Sequence, residues 1–184
     1  MRCRVLLAVM GSLLATASIA KAQEIGALLT GYEEVPSVST TASGEFTGTV
    51  SPDGSTITYT ETFSGLQGQV TQSHIHVGQL SANGSIVIFL CQTQAVPDPT
   101  GLAPPCPQEG TVSGTITAAN VIAGAPPNPQ QLAAKDLTAV LTAIQAGAAY
   151  ANVHTSLSPG GEIRGQIHTI AKLSGMSPPA AAHR

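Results

Sequence analysis

The chain has 184 residues, a formal net charge of −3, and only 9% charged residues. That balance leaves no basic surface to attract nucleic acid, and 3% aromatic residues with no tryptophan leave little to stack on bases or sugars. Glycine, threonine, serine and valine are abundant, which suits strands and tight turns better than long helices.

The first element is a leader. "MRCR" is a short basic segment, "VLLAVMGSLLATASIA" is an apolar run shorter than the roughly 20 residues a bilayer span needs, and "AKA" places small residues before Gln23. This pattern predicts a secretory signal peptide over 1–22. Cys3 does not follow a cleavable small-residue box, so no lipid anchor is expected. No comparable apolar run follows, so the mature protein is expected to have no membrane span and to be exported, to the periplasm or beyond. About 160 residues remain, enough for one domain with its own core, placed at 23–171 and followed by a loose tail at 172–184.

Within the domain, "EIGALLTGYEEVP" opens with a short strand that ends by Pro36. "ASGEFTGTVSPDGSTITYTETFSGL" reads as a hairpin, with turn chemistry at 52–54. After that turn Ile57, Tyr59, Glu61 and Phe63 share one face and Thr56, Thr58, Thr60 and Thr62 the other, the period of a half-buried antiparallel strand. "SHIHVGQL" is the next strand and breaks at Asn83-Gly84. "SIVIFLCQ" is almost wholly apolar and is expected to be a central strand covered on both faces. A proline-rich stretch, "VPDPTGLAPPCP", cannot continue a strand. "GTVSGTITAANV" alternates again. Leu137, Val140, Leu141 and Ile144 then fall on one helix face, with Gly147 as its stop. "AAYANVHTSLSPGGEIRGQIHTI" supplies two more strands. Seven to eight strands with one short helix predict an all-β antiparallel sandwich or barrel.

Two cysteines survive removal of the leader. An exported chain with an even count is expected to join Cys91 to Cys106. The bridge closes a loop of about 15 residues around the proline-rich excursion, worth on the order of 3 kcal/mol in the chain-entropy account.

The candidate functional residues are histidines. Side chains alternate along a strand, so with Ile75 and Val77 in the core, His74 and His76 lie on the outer, polar face. Tyr150, Asn152 and His154 share a face opposite Ala151 and Val153. Glu162, Arg164, Gln166 and His168 share a face opposite Ile163 and Ile167. If these strands are neighbours, their polar sides form one patch in a chain with little charge elsewhere. Two histidines at i and i+2 have Cα atoms roughly 6.5–7 Å apart, close enough for both rings to reach one ion at about 2.0 Å. His154 is the best third ligand. Imidazole donors suit copper or zinc, and Asn152, Glu162 and Arg164 are the candidates to orient the ligand rings. The competing reading is a hydrogen-bonded network that braces the sheet, with Arg164 and Glu162 pairing across strands. His168 and His183 are not expected to be ligands. No serine sits in a nucleophile elbow, no two carboxylates share a face for glycoside chemistry, and the glycine-rich pieces are turns rather than a phosphate loop.

The segments "LTGYEEVPSVSTTASGEFTGTV", "SHIHVGQLSANGSIVIFL" and "AGAAYANVHTSLSPGGEIRGQI" resemble the CHRD domain, named for chordin and widespread in bacterial exported proteins. The resemblance covers nearly all of 23–170 and is most specific at "NVHT…PGGEIRGQI". It implies an immunoglobulin-like β-barrel, distantly similar to copper/zinc superoxide dismutase, and no firm activity for the domain itself. By the same likeness His74 and His76 match a copper-binding H-x-H pair, with His154 as the third ligand. The sequence departs from the dismutases in having no clear bridging histidine and no zinc loop, so dismutation is not implied. The expected function is a binding or structural module, not an enzyme, with a His74/His76/His154 copper or zinc site of weak redox activity as the alternative. The partner is left open, an envelope or extracellular macromolecule being the class that fits an exported chain.

Overall fold

A computed structural model describes residues 21–126 and 129–170. The expected leader (but for its last two residues) and the expected tail lie outside the described residues.

The domain is an all-β, nearly closed antiparallel barrel with one short helix. The first strand, β1 (Gln23–Thr30), pairs along its whole length with β2 (Ser43–Val50), and β2 pairs in register with β3 (Ile57–Ser64). The hairpin turn between them holds Gly54 at φ +69°, a conformation that glycine adopts without steric cost. β4 (Val70–Val77) and β5 (Ser85–Cys91) follow, then β6 (Gly110–Ile116). The helix α1 (Leu137–Gln145) precedes β7 (Ala149–Thr155), β8 (Ile163–Gln166) and β9 (His168–Thr169). The strands run in the order β5-β4-β7-β8-β1-β2-β3-β6, with β9 also paired to β1.

Two halves of that path face each other. Tyr59 of β3 donates its hydroxyl hydrogen bond to the Leu90 carbonyl of β5 at 2.5 Å, and Ser73 of β4 meets Glu61 of β3 at 2.6 Å. Between the halves lies one apolar cluster that takes Ile25, Leu29, Phe46, Ile57 and Phe63 from one side and Ile75, Ile88, Ala151, Val153 and Ile163 from the other. The alternation seen in the sequence is the alternation of this core.

The helix ends where expected. Asp136 caps its start by accepting from the Ala139 N–H at 2.9 Å. Gly147 sits at φ +71°, with Gly147 N–H bonded to the Ile144 carbonyl and Ala148 N–H to that of Ala143, the paired closure of a Schellman motif. Val140 and Ile144 are buried against the core, and Leu141 packs at its edge.

Two expectations need correction. "SIVIFLCQ" is not a central strand: β5 ends the path and pairs with β4 alone. It is apolar because both of its faces are nonetheless covered, and its free edge is approached by the segment after β6, where Ile122 N–H bonds to the Val87 carbonyl at 2.9 Å. Among the described residues the strands number nine rather than seven or eight, because "IRGQIHT" is interrupted at Ile167. β8 lies between β7 and β1, pairing with β1 at Arg164, and after Ile167 the chain continues along β1 as β9.

Cys91 and Cys106 are joined, with Cα atoms 4.9 Å apart. Within the loop they close, the Asp98 carboxylate accepts from the N–H groups of Thr100, Leu102 and Ala103, which gives the proline-rich excursion a fixed shape.

Candidate metal centre

The three polar strand sides do meet. In the β4–β7 register His74 lies opposite Asn152, His76 opposite Tyr150 and Gln72 opposite His154. In the β7–β8 register Asn152 lies opposite Arg164 and Tyr150 opposite Gln166. Partners directly opposite across an antiparallel pair share a face, so β4, β7 and β8 assemble one polar layer on the side of the sheet away from the apolar core.

That layer is polar, as expected, but it is buried rather than outermost. His74, His76 and His154 are 0%, 6% and 5% exposed, and Arg164 is 1% exposed. Loops from three parts of the chain lie over it. Arg164 donates to the carbonyls of Ala82 (2.8 Å) and Gln79 (3.4 Å) and to Asn83 Oδ1 (3.3 Å). Asn83 in turn donates to the Val35 carbonyl at 3.2 Å, which ties the 79–84 loop to the segment after β1. His154 Nδ1 reaches the Pro159 carbonyl of the third loop at 2.9 Å. Gly84 makes the cover possible: a Cβ at that position would collide with the Val77 carbonyl.

The hydrogen bonds fix the tautomers. A carbonyl oxygen can only accept, so His76 Nδ1, 3.0 Å from the Gly84 carbonyl, carries its proton, and so does His154 Nδ1. Each of these rings, when neutral, then has a bare lone pair on Nε2. His154 Nε2 lies 3.2 Å from His74 Nδ1, which must be the donor of that pair, and His74 is left with its own bare Nε2. His74 Nε2 and His76 Nε2 are buried with no hydrogen-bond partner. Asn152 Oδ1 stands 3.0 Å from His154 Nε2, so in this orientation a second electron-rich oxygen faces a nitrogen lone pair. Turning the amide so that Nδ2 donates removes that opposition, and so does a cation between the two atoms.

One ring nitrogen from each histidine lies within 4.8 Å of the others, and all three residues are buried. Metal–nitrogen bonds of about 2.0–2.1 Å put two ligands at most about 4.2 Å apart, and roughly 3.4 Å in a tetrahedral site. The 3.2 Å separation of His74 Nδ1 and His154 Nε2 already matches, provided His74 binds through Nδ1 and carries its proton on Nε2, the ion taking the place of the proton now shared between the two rings. At up to 4.8 Å the widest pair lies about 0.6 Å beyond the linear limit and about 1.4 Å beyond the tetrahedral spacing, a gap that turning the rings has to close.

Burial keeps the three rings neutral, the form that binds metal. It pushes His76 down to about 4. Burial, then the neighbouring His154 and His76, push His74 further below the usual range, and burial lowers His154 as well. Aromatic side chains wall the cluster. Tyr150 stacks on His76 with centroids 4.6 Å apart and planes 5° from parallel, Arg164 lies 3.4 Å over the Tyr150 ring, and Phe89 of β5 meets His74 edge-on at 4.3 Å.

The residues expected to orient the ligands divide. Asn152 touches His154 directly. Arg164 acts at one remove, through Tyr150 and the 79–84 loop. Glu162 is spent elsewhere: its oxygens accept from Thr40 Oγ1 (2.8 Å), Gln67 N–H (2.9 Å) and Thr155 Oγ1 (2.7 Å), pinning loops together. His168 lies in β9 outside the cluster, and His183 lies outside the described residues.

Two buried acids were passed over in the sequence. Glu34 lies beside the cluster; burial pushes it up to about 7 against the opposing effects of Arg164 and the Asn152 amide, and its Oε1 has no hydrogen-bond partner. Glu61, fully buried in the core, is pushed up to about 8 by burial, against its bond to Ser73. Its signal was visible, since it shares a face with Ile57, Tyr59 and Phe63. A surface groove of about 710 Å³ lies on the other half of the barrel, lined by Leu28, Thr30, Glu45 and Thr62 among others, and contains none of the histidines.

Comparison with curated proteins and with solved structures returned no match. Comparison with protein families matched the CHRD domain over residues 25–167, most of the chain and all but the outermost strand residues, and on that match the chain belongs to the CHRD domain family.

Proposed function

We propose that this CHRD domain is a metal-binding module of an exported protein, holding one copper or zinc ion on His74, His76 and His154. The observation that carries the reading is the meeting of three buried histidines, one ring nitrogen of each within 4.8 Å of the others, in a layer where Nε2 of His74 and of His76 has no protein hydrogen-bond partner. Buried polar atoms are almost always hydrogen-bonded, and a cluster of buried imidazoles short of donors is suited to a cation. Export is supported by the predicted leader and by the Cys91–Cys106 bridge, which persists in oxidising compartments. Among the described residues no helix is long and apolar enough to cross a membrane.

The bracing role is carried by a different part of the same layer. Arg164 and Gln166 direct their donors to loop and helix-end carbonyls, Gln166 to Gly78 at 2.9 Å and Gly147 at 2.8 Å. These residues hold the cover in place, and the histidines beneath it hold the ion.

The test is metal content. The protein is loaded separately with Cu(II), Cu(I) and Zn(II), dialysed and analysed, beside a His74→Ala/His76→Ala double variant. The expected result is one equivalent of at least one ion in the wild type and none in the variant, with the circular dichroism of the variant unchanged. No retained ion in the wild type refutes the metal reading and leaves the layer as bracing alone.

A further inference from the structure

We infer that the site selects a monovalent ion, Cu(I), over Cu(II) and Zn(II). The inference rests on the metal-binding reading above and concerns which ion the three histidines take.

The first ground is charge. Among the described residues the cluster is three imidazoles, with no carboxylate oxygen and no cysteine sulfur in the group. Both described cysteines are consumed by the disulfide, and the carboxylate of Glu162 is committed to Thr40, Gln67 and Thr155. The donor set is therefore neutral, and the ion keeps its whole charge. The cost of moving an ion out of water rises with the square of its charge, so a dication meets four times the penalty of a monocation in the same surroundings.

The second ground is burial. The three ligands are 0–6% exposed, beneath loops and between aromatic rings. A dication on three imidazoles is ordinarily completed by water or an anion in a fourth position. Cu(I) is stable with three nitrogen donors and needs no fourth.

The third ground is the neighbourhood. Arg164, 1% exposed, stands one ring away from His76, over Tyr150. Glu34 is the acid on the opposite side of that balance, through Asn152 and Arg164. Together the two residues contribute no net negative charge in either protonation state of the acid. Nothing nearby compensates a second positive charge on the ion.

Imidazole alone does not distinguish these metals, and among divalent ions Cu(II) binds nitrogen sites most tightly. Cu(II) is therefore the stringent competitor. The experiment measures dissociation constants of the full chain for Cu(I), supplied anaerobically as its acetonitrile complex against a chromophoric Cu(I) chelator, and for Cu(II) and Zn(II) against matched chelators. No thiol reductant is added, so the disulfide stays formed. The His74→Ala/His76→Ala variant is run in parallel and corrects for Cys3 and the methionines. The expected result is Cu(I) held at least about 1,000-fold more tightly than Cu(II), and lost in the variant. That ratio raises the potential of the bound couple by about 180 mV over the aqueous couple, from 59 mV per tenfold. Cu(II) or Zn(II) bound as tightly as Cu(I), and lost in the variant, overturns the selectivity and leaves the metal site standing. No binding of any ion, or binding that the variant retains, removes the metal site and the selectivity with it.

Discussion

Replacing Glu61 by glutamine should make the protein more stable at neutral pH. Ser73 Oγ lies 2.6 Å from Glu61 Oε2 and 3.1 Å from the Asn152 carbonyl, and a hydroxyl has one proton. Both contacts are hydrogen bonds only if the acid supplies the second proton, donating to Ser73 while Ser73 donates to Asn152. The core therefore holds Glu61 as a neutral acid, consistent with its rise from 4.5 to about 8 through burial. A raised folded value means the contribution to stability is fully present below the unfolded value and is lost as pH climbs toward the folded one. At pH 7 the unfolded chain gains from ionising Glu61 and the folded chain does not. The difference is about 2.5 pH units at 1.36 kcal/mol each, on the order of 3 kcal/mol. A glutamine side chain in its place keeps a donor to Ser73 and has nothing to ionise. Between pH 4.5 and pH 7 the stability of the Glu61→Gln variant relative to wild type should rise by about 3 kcal/mol, roughly 6–12 °C in melting temperature for a domain of this size. The assay is thermal and urea denaturation of both proteins, metal-free, in steps across that range. The histidines titrate identically in both and cancel. A difference independent of pH would refute the neutral acid.

Two further outcomes follow from the same layer. For the metal-free protein, the depressed histidines contribute stability that is present above about 6.5 and lost as pH falls through their folded values, about 4 for His76, whereas Glu61 and Glu34 lose theirs as pH rises toward about 8 and 7; opposing slopes put the stability maximum near pH 6, and a melting temperature that climbs steadily to pH 8 contradicts these assignments. Gly84→Ala forces a methyl into the Val77 carbonyl and displaces the carbonyl that holds His76; it should cost about 3 kcal/mol in urea denaturation and weaken metal binding, and a wild-type melting curve would show that the 79–84 loop does not lie where described.

What the sequence made legible was local. The period-two runs gave Ile57 to Phe63 and His74 to Val77 their faces, the 3.6-residue spacing marked Leu137 to Ile144, and Gly147 marked the helix stop. Each of these depends on residues a few positions apart. The place of β5 in the sheet depends on what covers it. An unbroken apolar run reports that both faces are shielded, and it does not say whether the edge meets a strand or, as here, a segment that bonds to it at Ile122. Glu61 was read on the right face, but its neutral state depends on Ser73, twelve residues away, and on the closed core around both. Glu34 lay in a turn-like stretch that showed no sign of being folded over Asn152.

The histidines show the same limit from the other side. Their alternation with Ile75 and Val77 correctly sent them to the face opposite the core, and a face opposite the core is ordinarily wet. The loops that close it carry no apolar signal. They are held by Arg164 reaching for three oxygens and by Gly84 letting the backbone come near. A wet H-x-H would have its nitrogens satisfied by water and would say little. Under this cover two nitrogens are withdrawn from bulk solvent and meet no protein donor, a situation that costs about 1–3 kcal/mol each when nothing else satisfies them, in a fold whose whole stability is on the order of 5–15 kcal/mol. A liability of that size is tolerable when the folded state has a ligand that the unfolded chain binds poorly, because an ion present at 1,000 times its dissociation constant stabilises the fold by about 4 kcal/mol. The lid that hides the histidines from a reading of the strands is thus the feature that gives them a reason to be there.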